Sequence, residues 1–369
     1  MNKTLKLIDN TTTEFAKKVL APSRQDNDKY PPSPLFNNII KKAYDMDLFH
    51  VILPESFDGM GLNMRALCTV LSNICEEDSS LGCFIFTHIT AQELILLSGE
   101  NQLLKNENTK QIDKFLIAFQ IYENPFEIRP DIKAVKVDNE YKLTGTLKYL
   151  VAGHLKGKAI VPANLTNNKI AFFLIDLSEN SINLSPPVLS LGLHCCGAVD
   201  IELINAKAVL LGSEDKGNYY FSKVTEKMSL AAAAMSLGIM KGSFKEAINY
   251  AQKRSQGGKK IIDWSELKMI LANMAIQVKN AEMLIDRACQ AIDQKESNYG
   301  KILRSASISV QSSACQLTTD GIQVLGGVGY MKDFGQEKRY RDAHQIQNIF
   351  GIVPLKKLKI INEYIETFL

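Results

Sequence analysis

Asp320-Gly-Ile-Gln-Val-Leu-Gly-Gly-Val-Gly-Tyr330 is the stretch that says most about the fold of this chain of 369 residues. It closes a helix that we predict from about residue 302 to 325, because the pair Gly326-Gly327 is a plausible helix stop. Two further sequence landmarks follow it, Arg339-Tyr-Arg-Asp-Ala343 and Ile349-Phe-Gly351. The stretch therefore marks the end of a long helix near the C-terminus.

Two more long helices precede this one. Residues 230–250 are rich in Ala and Leu, and residues 265–295 contain no Gly or Pro. Asp263 lies just before the second of these segments and is a candidate N-cap. Long apolar stripes of this kind are what a four-helix bundle needs. We therefore predict an all-α bundle domain over residues 216–369.

The rest of the chain shows two different patterns. Residues 3–110 carry apolar side chains at helical spacing, which predicts an N-terminal α-helical domain over 1–113. Short apolar runs separated by polar turns follow and predict a middle β domain over 114–215, as an antiparallel sandwich or small barrel. The predicted strands are 115–121, 133–137, 141–145, 159–164, 170–177 and 199–203, with one turn at Asn167-Asn168. The fold class is thus α+β multidomain, in the order α, β, α.

Composition sets limits on the function. The chain is 46% hydrophobic and 22% charged, as in an ordinary soluble protein. Its 43 Lys and Arg against 40 Asp and Glu leave a net charge of +3, too small to suggest a nucleic-acid or membrane partner. The seven cysteines show no CxxC spacing and suit reduced core thiols. Because we find neither a signal peptide nor a long apolar run, we expect a cytoplasmic protein.

Several segments, in this order, resemble the acyl-CoA dehydrogenase family. Leu53-Pro-Glu-Ser-Phe-Asp-Gly-Met-Gly-Leu62 is similar to the family's N-domain turn, and Tyr141-Lys-Leu-Thr-Gly-Thr-Leu-Lys-Tyr-Leu-Val-Ala-Gly153 is similar to its β-domain hairpin. The segments around Arg254, Gly326 and Arg339 continue the match to the end of the chain. The resemblance implies a flavoprotein that oxidises an acyl thioester, on CoA or on an acyl carrier protein, with FAD.

One half of the family's FAD site is present in the sequence. Arg254-Ser-Gln256 matches the segment whose Arg meets the FAD pyrophosphate from a neighbouring subunit in relatives. A guanidinium suits this task because it offers forked, permanently charged donors. Gln323, Gly326 and Gly327 match the family's Q-x-x-G-G, where the missing side chains let the backbone approach the dinucleotide. The resemblance thus implies cofactor binding by all five residues.

The half that holds the flavin ring departs from the family pattern. The hairpin's Trp-Ile-Thr is replaced by Tyr149-Leu150-Val151, so a methyl group stands where relatives place a hydroxyl that reaches the ring. Residues 121–130 lack the Gly-Ser loop that helps relatives hold the thioester. Tyr149 and Val151 remain the residues that the resemblance assigns to the ring.

The position of the catalytic base departs most from the family pattern. Dehydrogenation needs a carboxylate that removes the α-proton, because that carbon is too weakly acidic to ionise unaided. Phe350 occupies the family's usual Glu position, and Met228 occupies the alternative position that some relatives use. Glu226, two residues from Met228, could serve only if the register of its helix shifts. His344 is better interpreted as a surface or interface side chain, and Arg341-Asp342 as a structural ion pair or cap within the bundle.

Three hypotheses remain open. The chain could be a divergent FAD oxidoreductase with Glu226 or an unrecognised residue as base, and with an electron-transfer flavoprotein as a candidate partner. It could be a flavin monooxygenase of the same fold that needs no base. It could also be a non-catalytic subunit that pairs with an active paralogue and lends Arg254 and Gln323 to that partner's FAD. All three predict an oligomer, either a homodimer, a homotetramer or a heteromer. No metal site is expected.

Overall fold

The N-terminal domain is helical, as predicted. The computed structural model describes residues 3–32, 35–104, 116–124, 128–166 and 169–368. Within these ranges the domain contains the helices α1 (Lys3–Phe15), α2 (Leu35–Asp45), α3 (Met64–Cys75) and α4 (Ser79–Ser98). Asn63 and Asp78 cap α3 and α4, since their side chains accept hydrogen bonds from the first-turn amides of Ala66 and Ser80. These caps fix where the two core helices begin.

Helix α4 is the apolar centre of this domain. By length and mean hydropathy it could span a membrane, so the expectation that the chain holds no such apolar run is wrong for this segment. However, 83% of its most apolar 18-residue window is buried inside the protein, and core helices of soluble proteins pass the same test. Burial on all sides explains why its sequence carries almost no polar face.

The middle domain is a small barrel. Its strands are β1 (Ile117–Phe119), β2 (Lys133–Val137), β3 (Glu140–Leu150), β4 (Lys158–Asn164), β5 (Ile170–Asp176), β6 (Ile182–Leu184) and β7 (Val199–Leu211). They pair in the order β1-β4-β2-β3-β7-β5, and a further β4–β5 pairing closes the ring. The pairs β2–β3, β3–β7, β4–β5 and β5–β7 are antiparallel, as expected, whereas β1 runs parallel to β4.

Two strands are longer than their sequences predict, and one was missed. β3 continues through Gly145 because register shifts at Leu143/Gly145 and Leu147/Leu150 absorb extra residues without ending the pairing with β7. β7 extends to Leu211, beyond the predicted end at residue 203. β6 has only three residues and forms by pairing with β7, so local sequence gave no signal for it. Phe115 and the predicted Asn167-Asn168 turn lie outside the described residues.

The C-terminal domain is built from α5 (Gly217–Lys253), α6 (Ser265–Asp293), α7 (Tyr299–Leu325), α8 (Gln336–Ile346) and α9 (Val353–Phe368). Gly326 ends α7 as predicted, with φ of +62°. The N-cap prediction for Asp263 is wrong. A short 3₁₀ turn takes up Ile261–Asp263, so Trp264 becomes the residue that precedes α6 and no side chain caps it. The two predicted domain boundaries, at 113/114 and 215/216, stay predictions.

A buried ionic cluster ties α8 to the other two domains. Lys338 Nζ lies 2.5 Å from Asp342 and 3.8 Å from the α4 cap Asp78. Asp342 also accepts a hydrogen bond of 2.8 Å from the amide of Leu193. Arg341 pairs instead with Asp28 and Glu337. The segment Arg341-Asp342 is therefore structural, as expected, but the two residues do not pair with each other: their partners are Glu337 and Lys338 on α8 and Asp28 and Leu193 in the other domains.

Candidate functional site

The structure brings five predicted cofactor residues together in one open groove at the end of α7. We call it the arginine groove. It has a volume of about 760 Å³ and is lined by Tyr250, Arg254, Gln256, Trp264, Gln323, Gly326 and Gly327. The end of α5 contributes Arg254, the β8–β9 hairpin (Ser255–Gln256 and Lys259–Lys260) contributes Gln256, and the end of α7 contributes the other three predicted residues. Residues far apart in sequence therefore converge as the motif match predicts.

The groove has the chemistry of a phosphate site. Arg254 is exposed, and no ion pair of its guanidinium is found among the described residues, although the carboxylate of Glu266 also lines the groove. Gly326 has φ of +62°, and a Cβ built there would meet nothing within 4 Å. Only glycine adopts this conformation at low cost, and its bare backbone leaves room for a ligand. A doubly charged pyrophosphate suits such a forked donor beside an open backbone.

Trp264 is a groove residue that sequence reasoning missed. Its ring is 41% exposed, and Lys259 Nζ stands 3.9 Å from the ring centroid. An exposed indole beside an arginine offers a flat surface on which an aromatic base can stack. Its position in the sequence could have indicated this role, because Trp264 is the only tryptophan of the chain and lies ten residues after Arg254.

The base position lies elsewhere, in a small cavity between the barrel and the bundle. We call it the Phe350 cavity. Its volume is about 40 Å³, and its lining includes Asn124, Glu226, Ser229, Arg304, Phe350 and Lys356. The Phe350 ring is 4% exposed and packs 5.7 Å from the ring of Phe86 and 6.4 Å from that of Phe221. Its amide donates a 2.8 Å hydrogen bond to the carbonyl of Ile121. An aromatic side chain thus occupies the base position and is held there by packing.

Glu226 lines this cavity, but it is engaged in an ion pair. Arg304 Nη1 donates to Glu226 Oε2 at 2.8 Å. The Glu226 side chain is 13% exposed and that of Arg304 is 15% exposed. Burial alone would raise the pKa of Glu226, but the hydrogen bond and charge of Arg304, with help from Lys223, outweigh it and lower the pKa. The Glu226 carboxylate is therefore ionised at neutral pH and a weak proton acceptor. Met228 is fully buried in the bundle core and offers no base.

Tyr149 and Val151 do not line the arginine groove. Tyr149 has φ of +58°, its hydroxyl accepts a 2.8 Å hydrogen bond from Gln345, and its ring meets Tyr122 edge-on at 5.2 Å. Val151 is 2% exposed and bridges to Phe119 of β1. The Tyr122 hydroxyl is buried near the Gln345 amide but makes no hydrogen bond of normal geometry among the described residues, since that amide donates to Tyr149 instead. This corner is filled by aromatic and aliphatic side chains, and Val151 can donate no hydrogen bond.

His344 has no feature of a catalytic base. Its ring stacks at 4.4 Å on Tyr340, its Nε2 is buried without a hydrogen-bond partner among the described residues, and burial lowers its pKa. Lys356, in contrast, was missed by sequence reasoning although it lines the Phe350 cavity. Nothing in the linear sequence sets it apart from its neighbour Lys357.

Comparison with known proteins identifies the family. Residues 2–106 match the model of the acyl-CoA dehydrogenase N-terminal domain, and residues 215–351 match that of the acyl-CoA dehydrogenase C-terminal domain. The chain therefore belongs to the acyl-CoA dehydrogenase family, whose members are FAD-dependent flavoproteins.

Individual relatives span the whole chain. Cyclohexane-1-carbonyl-CoA dehydrogenase of Geobacter metallireducens is 25% identical over 98% of this chain and 97% of its own length. The subunit CarC of the caffeyl-CoA reductase–Etf complex of Acetobacterium woodii is 25% identical over 92% of both chains. Butyryl-CoA dehydrogenase from Megasphaera elsdenii has the same fold, with a TM-score of 0.88 at 18% identity over 99% of both chains. These relatives are oxidoreductases of acyl-CoA.

The residues present fit one part of FAD and not the other. The arginine groove provides an unpaired guanidinium, an open glycine backbone and an exposed indole, which suit the adenosine diphosphate half. The flavin-ring corner offers a valine in place of a hydroxyl, and the base position offers a buried phenylalanine. The residues present thus suit the phosphates of FAD better than they suit its ring, and no carboxylate stands at the predicted base position, where Phe350 lies.

Proposed function

We propose that this chain serves flavin-dependent oxidoreduction of an acyl thioester as a non-catalytic subunit, which binds the adenosine diphosphate half of FAD beside an active paralogue. The observation that carries this proposal is the phenylalanine at the predicted base position. Phe350 cannot accept a proton, and its ring packs against those of Phe86 and Phe221.

The size of the Phe350 cavity supports the same conclusion. About 40 Å³ holds roughly three or four water-sized groups, since one water needs on the order of 10–15 Å³ on this measure. An acyl thioester is much larger. Substrate oxidation would then take place on the paralogue, with CoA or a carrier protein holding the acyl group and an electron-transfer flavoprotein as the proposed acceptor.

The arginine groove explains what this chain would add to such an oligomer. It is open to solvent on a surface of the bundle, and its cation has no internal carboxylate partner in the described part of the chain. An arginine kept free at an open groove suits an anion that arrives from outside the subunit. The proposal therefore assigns Arg254, Gln323 and Gly326 to a cofactor held mainly by the partner.

Co-expression with a homologue that has Glu at the base position tests the proposal. We expect the chain expressed alone to show no flavin reduction by any acyl-CoA, and the complex to contain FAD that an acyl-CoA bleaches anaerobically. Arg254→Met should weaken the affinity of the complex for FAD about tenfold, the value of one lost charged hydrogen bond to phosphate, and so lower its FAD content at subsaturating FAD. Lys260→Met, an exposed cation outside the groove lining, is the matched control.

The proposal fails if the chain alone binds FAD and an acyl-CoA reduces it. It also fails if Arg254→Met leaves the FAD content of the complex unchanged.

One observation favours a second candidate, a dehydrogenase that uses Glu226. Glu226 lines the same cavity as Phe350 and is ionised. In that case Glu226→Gln would abolish acyl-CoA oxidation by the chain alone, whereas Glu363→Gln would not. Glu363 is the matched control because it pairs with the same Arg304, at 2.7 Å, without lining the cavity. Equal loss in both variants would show that Glu226 acts only through the ion pair.

A further inference from the structure

We propose that the Phe350 cavity is a binding site for a small carboxylate of two or three carbons, held by the ammonium group of Lys356. This inference stands on the cavity alone and does not depend on the role of the arginine groove.

The contacts of Lys356 leave one donor for a ligand. Its Nζ donates to the side-chain oxygen of Gln311 at 3.0 Å and to the carbonyl of Gln347 at 2.7 Å. A protonated lysine has three N–H donors, so one remains. Both partners are neutral, and no carboxylate of the described chain lies within ion-pair distance of this nitrogen. A half-buried cation with only neutral partners is costly, and a bound anion would relieve that cost.

The other charges at the cavity leave it cationic. Arg304 and Lys359 line it together with Glu226, which Arg304 already binds. Glu363, the second partner of Arg304, further offsets the arginine charge. Glu226 and Glu363 are thus directed at Arg304, and Lys356 is left as the cation without a counter-ion.

The protonation behaviour of Lys356 agrees with this arrangement. Burial lowers the pKa of Lys356 to about 7. Near neutral pH the amine of Lys356 is therefore only partly protonated, so binding of an anion would be accompanied by uptake of a proton.

Volume and wall chemistry select the ligand. The cavity lining also includes the apolar side chains of Ile308, Ile349 and Phe350. The cavity has room for roughly three or four water-sized groups. This matches acetate, which has four heavy atoms. Propionate would fit after a slight shift of the lining side chains. A carboxylate group would meet Lys356 while its methyl group packs on the aromatic and aliphatic wall.

Acetate is the probe, at fixed ionic strength maintained with sodium chloride, on the full chain. We expect acetate to raise the thermal unfolding midpoint and acetamide, its neutral isostere, to leave it unchanged. The acetate affinity should fall about tenfold per pH unit above pH 7, because binding then requires uptake of a proton. Lys356→Met should weaken acetate at least about tenfold.

Lys357→Met is the matched control, since Lys357 is the adjacent exposed lysine. Ile308→Phe fills the cavity and keeps Lys356, so it should abolish the acetate effect even if Lys356→Met fails to fold. Line broadening of carbon-13-labelled acetate in NMR spectra compares acetate binding by the same variants without unfolding the protein.

Three results would overturn the proposal: no acetate effect on the unaltered chain, an equal effect of acetate on Lys356→Met or Ile308→Phe, or an effect of acetamide equal to that of acetate.

Discussion

Replacing Phe350 tests whether the base position is lost by packing or only by the identity of one side chain. The ring is 4% exposed and is held by Phe86 from α4 and Phe221 from α5. Truncating a buried phenylalanine to alanine costs about 3–5 kcal/mol, because the transfer free energy is lost and a cavity remains. We expect Phe350→Ala to lower the free energy of unfolding by that amount in urea titrations followed by circular dichroism.

Phe350→Glu, which restores the family's base, should be at least as destabilising. The carboxylate would replace a ring that packs on Phe86 and Phe221, so the packing that Phe350→Ala loses is lost here as well. Because Val151 and the ion-paired Glu226 are unchanged, we expect no acyl-CoA oxidation from this variant.

Phe350→Leu is the control, since a hydrophobic swap of similar volume costs about 1.5 kcal/mol or less. A loss below about 1 kcal/mol for Phe350→Ala would refute the packing argument. Flavin reduction by acyl-CoA in Phe350→Glu expressed alone would refute the view that the rest of the site is also disabled.

Three further variants test other parts of the structure. His88 is fully buried and accepts a hydrogen bond from the amide of Ile117, and burial lowers its pKa well below that of free histidine. The unfolded chain therefore binds a proton that the folded chain excludes, so the free energy of unfolding should fall by about 1.4 kcal/mol per pH unit below pH 6.5. His88→Gln should remove this contribution to the pH dependence of the free energy of unfolding, measured by urea titrations between pH 5 and 7. Lys338→Met should lower the free energy of unfolding by about 3–5 kcal/mol, because Asp342 and Asp78 would be left buried without their cation. Lys332→Met, at an exposed site, should change the urea midpoint of unfolding little. Tyr122→Phe removes a buried hydroxyl without a partner in the described residues and should leave stability unchanged or raise it by about 1 kcal/mol, and a loss of bound FAD or of stability would show that this hydroxyl has an acceptor.

Local sequence was sufficient for the order of the domains and for the arginine groove. Helical spacing, caps and short apolar runs act over a few residues, so the α, β, α order could be predicted without knowing any long-range contact. The five groove residues lie in two short segments, 254–256 and 323–327, and each segment is positioned by the end of a helix. The prediction failed where neighbours in space decide the local structure, as in β6, which exists only because β7 pairs with it.

From the sequence by itself, the family resemblance predicts that Phe350 stands where relatives place a carboxylate, because that prediction needs only the identity of the residue at that position. Only the tertiary structure decided what surrounds it. The rings that hold Phe350 come from α4 and α5, the arginine that binds Glu226 comes from α7, and the acceptors of Lys356 come from α7 and the turn after α8. Ionisation and burial depend on atoms within a few ångströms, whatever their separation along the chain, and linear sequence does not specify those neighbours.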